Sequence, residues 1–578
     1  MADGSFQNHP AVGFLMMRQL ALPFRFSSAL WAFYLIMLGV VVVLLRQIWI
    51  QTAVFPLIEK LMERGESPVG KKYMFPLLQV LIIKECPKLL QLPFASQIVY
   101  PSDQDRNSDW FPKLQVLQIE KCPQLLLVAH IPWTETLRIV SISDVKLLEN
   151  LYYSTNPPVG CMLNITGKDD LQSLDEVVAF NKLACLESLV LHNGPPLQSG
   201  HLLLLTSLKM LTVEGSDGVI VEASEGDMEW QHPLEHLEVQ GEESYGRELT
   251  ELLTHLPSLS QLEIVECEKI TQLAVGLDVQ QTTSAAAATE VDEKDEDDSG
   301  LLLLPAHLSD SLQVLGIHSC PELVLVDSPS SFLPARGGAG GGLQALRSLH
   351  NLQISVCPKI LSAKSSSSCC PFPSSLRHLG VQGVEGTGTM GPLLTAGGQL
   401  IDLNIVGSPG FFAGCEQELQ QQQLRNRGKE QELQQLVSPM NGCKLQELYT
   451  DDAMRLLSVP ICNLLSSSLS ILCFSGNQEM ECFTKEQEGA LHLLVSLQKL
   501  KFCNLSKLQS LPAGLQKLTN LKELSVYSCP VIRSLPEDGL PKSLQKLNVW
   551  NCGSAELKQQ CEELVGTFPK IILQLQDL

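Results

Sequence analysis

One arrangement of apolar and polar positions returns along the whole chain. A leucine is followed three residues later by an aliphatic residue and two further on by another apolar one, as in Leu78, Leu81 and Ile83, or Leu521, Leu524 and Val526. Alternation of period two predicts a short strand that sends one row of side chains inward and the other outward, so Ile82 and Lys84 take the outward row of the first unit. Counting from the first leucine, matches begin at residues 78, 114, 137, 186, 208, 234, 259, 312, 349, 376, 400, 445, 469, 497, 521 and 544. Ten of the fifteen spacings fall between 22 and 28 residues, too short for a unit to bury its own apolar face without stacking on its neighbours.

This period and consensus predict an α/β repeat: a leucine-rich-repeat solenoid, or horseshoe, with a parallel β-sheet on its concave face. The remaining spacings, 36, 49, 53, 37 and 45 residues, are expected to hold degenerate repeats or insertions. Eight positions after the first leucine the chain must turn inside the core, where peptide groups need partners and only a small side chain fits. Cys86, Cys122, Cys267, Cys320, Cys357, Cys529 and Cys552 stand there, with Asn477 as the polar variant. A free cysteine behaves as a small buried hydrophobe. Seven of the eighteen cysteines are thereby assigned to packing, and no Cys-x-x-Cys spacing suggests metal or redox chemistry.

The pattern divides the chain into a leader (1–28), a hydrophobic helix (29–50), a linker (51–74), the repeats (75–571) and a tail (572–578). Ala29 to Leu45 are seventeen residues without a charge, near the lower bound for a spanning helix, with Trp31, Tyr34 and Trp49 placed for the interfaces. A membrane anchor is the expectation; a buried segment and a cleaved signal are the alternatives. Three stretches interrupt the repeats. Residues 279–300 include a run from Glu290 to Asp298 with seven acidic residues and one lysine, read as a solvated insertion. Residues 328–342 have a Gly/Ser linker composition, and 416–436 are rich in Gln and Glu.

The formal charge of −22 argues against nucleic acid as a partner, because phosphate binding requires a basic face. Catalytic signatures fail on inspection. Gly65 to Lys72 resembles a phosphate loop but carries Lys72 where a magnesium-ligating Ser or Thr belongs, and it leads into a strand. Gly386, Gly388 and Gly391 have dinucleotide-loop spacing, yet they lie between repeat strands 24 residues apart, too close for a βαβ unit. The reading is therefore a non-enzyme without cofactor or metal, acting through protein–protein contacts on the outward strand positions. In the last repeats these are Lys501 and Cys503, Ser525 and Tyr527, Asn548 and Trp550. The aromatic pair and its polar surroundings suit a binding hot spot. Glu214, Glu238, Gln240 and Glu263 make the middle of the same face more acidic, with His192 and His318 at its sixth position.

The segments FPLLQVLIIKECPKLLQLP, FPKLQVLQIEKCPQL, LQSLPAGLQKLTNLKELSVYSCPVIRSLPEDGLPKSLQKLNVWNC and CEELVGTFPKI, with Leu511-Pro512 and Leu535-Pro536 in register, resemble the C-terminal repeat region of plant disease-resistance receptors of the coiled-coil, nucleotide-binding class, in their cereal forms. The resemblance covers about Phe75 to Ile571 and does not extend to the nucleotide-binding module. It implies recognition of a pathogen effector, a guarded host protein or an immune receptor, in the cytoplasm or on the cytosolic side of a membrane. The alternatives are a membrane-anchored receptor-like protein facing outward, for which Asn164 and Asn504 are the two glycosylation sequons, and a structural scaffold.

Overall fold

A computed structural model of the chain describes residues 77–84, 113–122, 136–143, 162–166, 173–176, 178, 180–216, 218–221, 230–241, 246–277, 300–326, 342–362, 371–385, 393–394, 398–408, 411–412, 443–552, 555–564 and 570–574. The hydrophobic segment 29–50, both glycine-rich loops, Cys86, the acidic run and the Gln/Glu-rich stretch lie outside these residues. Among the described residues no helix is long and apolar enough to cross a membrane.

Among the described residues twenty-three strands follow one another. They are β1 (Val80–Lys84), β2 (Val116–Glu120), β3 (Ile139–Ser143), β4 (Met162–Thr166), β5 (Ser188–His192), β6 (Leu197–Gln198), β7 (Met210–Glu214) and β8 (Ile220–Val221). Next come β9 (His236–Gln240), β10 (Gln261–Val265), β11 (Gln272–Leu277), β12 (Leu301–Pro305), β13 (Val314–His318), β14 (Val324–Leu325), β15 (Asn351–Ser355) and β16 (His378–Gln382). The last are β17 (Asp402–Val406), β18 (Glu447–Thr450), β19 (Ile471–Ser475), β20 (Lys499–Cys503), β21 (Glu523–Tyr527), β22 (Lys546–Trp550) and β23 (Lys570–Gln574).

Eighteen of them form one sheet. Every pairing in it is parallel, running β1 to β5, then β7, β9, β10, β13, and β15 through β23. β6 with β8, and β12 with β11 and β14, make two small sheets outside that ladder. The fold is a leucine-rich-repeat solenoid.

Each of the sixteen expected strands is present and begins two residues after its leucine. From Leu114 onward these leucines are no more than 2% exposed. They join the third- and fifth-position residues in one continuous core. Burying one such side chain stabilises by roughly 1.5–3 kcal/mol, and most strands of the large sheet add two or more. The long spacings resolve into two kinds. The 49-residue one hides a complete strand, β4, where Gly160 stands in the leucine position. The other four are single enlarged repeats, because the strands on either side bond directly to each other. The final strand, β23, has Phe568 in the leucine position and runs to Gln574, past the expected end at 571.

Most turns after the strands of the large sheet follow one rule, with exceptions at Gly241 (φ 159°) and Asp452 (φ −93°). The seventh residue after the first leucine adopts a left-handed conformation, with φ between 48° and 55° at Lys121, Asn193, Glu266, Ser319, Val356, Asn504, Ser528 and Asn551. Gly215, Gly383, Gly407 and Gly476 take the same place, where glycine avoids the steric penalty. This reverses the chain and aims its N–H at the sixth-position carbonyl of the next repeat, as from Asn193 to Glu214 (2.7 Å), Asn504 to Tyr527 (2.9 Å) and Ser528 to Trp550 (2.9 Å). The next residue then drops into the core.

At that eighth position the thiols of Cys122, Cys267, Cys320, Cys357, Cys529 and Cys552 are buried. Each donates to the sixth-position carbonyl of its own repeat at 3.2–3.4 Å and reaches the fifth-position carbonyl of the preceding one at 3.7–4.0 Å. Burial pushes the Cys529 thiol up to about 12, so it remains a neutral S–H donor. Asn477 does the same work with an amide: its Nδ2 donates to the Asp451 carbonyl at 2.7 Å, and its Oδ1 accepts from the N–H groups of Glu479 and Met480. Ser408 shows a third solution, bonding the Val406 carbonyl and accepting from the Val384 N–H.

Candidate protein-interaction face

Parallel register carries equivalent positions of successive repeats into rows across the concave face. At the C-terminal end, over β18 to β22, one row reads Glu447, Ile471, Lys499, Glu523 and Lys546. The next reads Tyr449, Cys473, Lys501, Ser525 and Asn548, and the third holds Ser475, Cys503, Tyr527 and Trp550. The sheet thus brings the five expected interaction residues, Lys501, Ser525, Tyr527, Asn548 and Trp550, onto one patch.

They do not all face solvent. The rings of Tyr527 and Trp550 meet edge to face with centroids 6.3 Å apart, and Trp550 is 40% exposed, so one broad aromatic surface is presented. Lys501 stands over the ring of Tyr449 with its Nζ 5.7 Å from the centroid. Ser525 and Asn548, in contrast, are buried, which corrects the expectation that strand alternation would expose them. The cause is a hydrogen-bonded cluster. Asn548 Nδ2 donates to Ser525 Oγ (2.9 Å) and to Glu523 Oε1 (3.0 Å), and Lys546 Nζ caps the same carboxylate at 2.7 Å. Burial raises the Glu523 carboxyl, but the Lys546 hydrogen bond and the charges of Lys546, Lys499 and Lys501 outweigh it and hold it below its ordinary value. Ser525 and Asn548 therefore support the patch from beneath, while the aromatic pair and the lysines form its surface.

The middle of the face is built on different pairs. His318 Nε2 meets Glu263 Oε2 at 3.2 Å while its Nδ1 contacts Ser355 Oγ at 2.7 Å. Gly316 makes this possible, since a Cβ there would collide with the Glu263 carboxylate. The bond to Glu263 raises the His318 imidazole, and the same bond lowers Glu263. His192 pairs with Glu214, Thr212 donates to Glu238 at 3.2 Å, and Gln240 donates to Glu266 at 3.0 Å. His192 and His318 are thus engaged across strands. Of the sequons, Asn164 lies within β4 and Asn504 occupies a left-handed turn.

Among the described residues no group of three or more His, Cys, Asp or Glu side chains is placed to hold a metal ion. The sequence reading missed the ion-paired character of both regions, because long polar side chains at positions two, four and six of different repeats meet only once register is known. The alternation of lysine and glutamate over Lys499, Glu523 and Lys546 was the available signal.

No protein-family model matches the chain, and no curated protein sequence matches it. Among solved structures the chain is similar to CroV588, described as a novel circular leucine-rich-repeat protein structure, at 15% identity and a TM-score of 0.34. That alignment covers 77% of this chain and spans 57% of the length of the other. The repeat assignment rests on the strands, the turns and the core themselves.

Proposed function

We propose that the chain is a nonenzymatic protein-recognition solenoid that engages its partner through the C-terminal end of its concave face, in plant defence. One observation carries the reading: the half-exposed Tyr527–Trp550 pair, backed by a hydrogen-bonded cluster and flanked by Lys499, Lys501 and Lys546. Rigid aromatic anchors beside cationic side chains are the composition of interface hot spots, and the cluster beneath ties together the two strands that carry the rings. The lysines favour a partner surface that is acidic, although the chain as a whole is strongly negative. The plant assignment rests on the resemblance of the Cys-Pro and Leu-Pro repeats to resistance receptors, and the partner classes it implies are a pathogen effector, a guarded host protein or an immune receptor.

The repeats are assigned to the cytosolic side, with residues 29–45 as a membrane tether. The cysteines support this reading: the thirteen described ones form no disulfide bonds, as suits a reducing compartment. Two experiments test the proposal. Binders selected from a plant cDNA display library on the full chain should lose affinity for the Tyr527→Ala/Trp550→Ala variant while its circular dichroism is unchanged; undiminished binding to the folded variant removes this face from consideration. Protease digestion of sealed plant microsomes carrying a C-terminally tagged chain should destroy the tag, whereas a protected tag places the repeats on the lumenal side.

A further inference from the structure

The concave face also carries a chemistry that recognition does not require. Cys473, in β19, and Cys503, in β20, bring their sulfurs within 3.7 Å of each other, the Cys473 thiol donating to Cys503. Neither belongs to the core turns, where every cysteine lies eight residues after its leucine. They sit on the outward rows, at the fourth and sixth positions of adjacent repeats, and Cys503 meets solvent from the concave side. Their burial differs. Cys473 is 3% exposed, whereas Cys503 is partly open. Lys501 stands between them in the rows, opposite Cys473 in register.

We propose that Cys473 and Cys503 form a peroxide-reactive dithiol, in which Cys503 is attacked first and Cys473 resolves it to a reversible disulfide across the two strands. The Cys503 thiolate sulfur attacks one oxygen of hydrogen peroxide, the O–O bond breaks, hydroxide leaves, and Cys503 becomes a sulfenic acid. The Cys473 sulfur then attacks that of Cys503, the S–O bond breaks, and the departing hydroxide takes the Cys473 proton as water. Two thiols lose two electrons, and one peroxide is reduced to two waters.

Three observations support this order. The hydrogen bond from Cys473, and after it the ammonium of Lys501, hold the Cys503 thiol below its ordinary value against the opposing effect of burial. Cys473 is driven the other way, chiefly because it is the donor in that bond. An accessible thiolate beside a resolving cysteine is the arrangement of redox-sensing thiols. The register adds a constraint. Ser475 opposes Cys503, so the two cysteines are diagonal neighbours. In a parallel ladder a strand spacing of about 4.8 Å and a two-residue rise of about 6.6 Å put such Cα atoms about 8 Å apart, above the limit of about 7 Å beyond which a bridge needs backbone movement. The ladder already sets the spacing of the two strands, so closing the bond needs β19 and β20 to slide along each other locally, and a bond made under that constraint is readily reduced, as a reversible modification needs.

The test uses the reduced full chain titrated with hydrogen peroxide, with peptide mapping by mass spectrometry. The expected product is a linked peptide pair containing Cys473 and Cys503, lighter by about 2 Da and restored by dithiothreitol, as loss of two hydrogens requires. Exposed Cys185 and Cys482 serve as internal controls and should oxidise at least tenfold more slowly than Cys503. Cys473→Ser should stop at a dimedone-trappable sulfenic acid on Cys503, and Cys503→Ser should abolish the link. Phenylarsine oxide probes the wild-type chain without any substitution: one equivalent should bridge the two sulfurs with loss of water. A wild-type chain that stops at a stable sulfenic acid, oxidation of Cys503 no faster than of Cys185 and Cys482, or arsenical capture elsewhere overturns the proposal.

Discussion

Glu263 and Glu523 lie on the same concave sheet, and the neighbours that hold them differ. Glu263, in the middle, is held by a histidine and sits over a glycine notch, in a stretch where carboxylates outnumber cations. Glu523, near the C-terminal end, is held by Lys546 and Asn548 among an excess of lysines. The backbone ladder and core beneath are the same in both regions. The comparison shows that the leucine framework fixes where outward side chains stand and leaves their chemistry free, so a histidine-paired region and a lysine-paired one coexist on one scaffold.

The framework half of that statement is broken most severely by a charge in the core. Leu262→Asp in β10 and Leu524→Asp in β21 place a carboxylate at equivalent, fully buried positions, and each should cost about 3–5 kcal/mol in urea unfolding. Unequal costs would mean that the two regions do not share one framework. The surface half is sharpened by binding. Tyr527→Ala/Trp550→Ala should weaken an acidic partner by about 2 kcal/mol or more, roughly 30-fold, in calorimetric titration. Glu238→Gln should leave the same affinity within about twofold, as expected of a residue outside the contact.

A smaller effect is expected at the turns. Val356 is a β-branched residue held at φ 55°, where Ser319 and Gly383 hold the same place in the repeats on either side. Val356→Gly should raise the unfolding midpoint, by about 1 kcal/mol in stability, because a branched side chain is strained there. The smallest effect concerns pH. His318 is raised and Glu263 lowered by their mutual bond, with Glu238, His236 and Cys357 also facing the pair. The raised imidazole contributes stability fully below its ordinary value of 6.5 and loses it as pH rises through the folded value. The lowered carboxylate contributes above its ordinary 4.5 and loses it as pH falls through the folded value. The stability difference between wild type and His318→Asn should therefore be largest between these two values, about 1 kcal/mol or less, and fade toward pH 9. The corresponding difference for Lys546→Met should persist to pH 9, since the lowered Glu523 carboxylate contributes throughout the range above its ordinary value.

Much of this architecture was legible from the leucines alone, because a side chain that must be buried at fixed spacing leaves its mark in sequence. The two strands that escaped, β4 and β23, lack that mark: Gly160 and Phe568 stand where leucine was sought, while Leu163 and Ile165 still fill the inner positions of β4. The left-handed seventh position was not read at all. Lysine, glutamate, serine and valine occupy it alongside asparagine and glycine, so composition hides a conformational rule that the backbone states plainly. The candidate face was legible by position but not by exposure. Ser525 and Asn548 follow the outward alternation, yet Glu523 and Lys546 close over them, an outcome decided by contacts between repeats.

The left-handed turn also bears on heredity. Most repeats end by offering one peptide N–H forward and one carbonyl back in the same geometry, so that they present matching edges; Gly407, which donates to the Asp451 carboxylate, and Asp452, which donates to Thr450 Oγ1, are the departures. A stretch of coding sequence cut just before one leading leucine and just before the next carries a complete joint at both ends. Duplication, deletion or exchange of such stretches lengthens or rewrites the concave face without redesign of the interior, and lineages of this chain can diversify by shuffling whole units as readily as by point change.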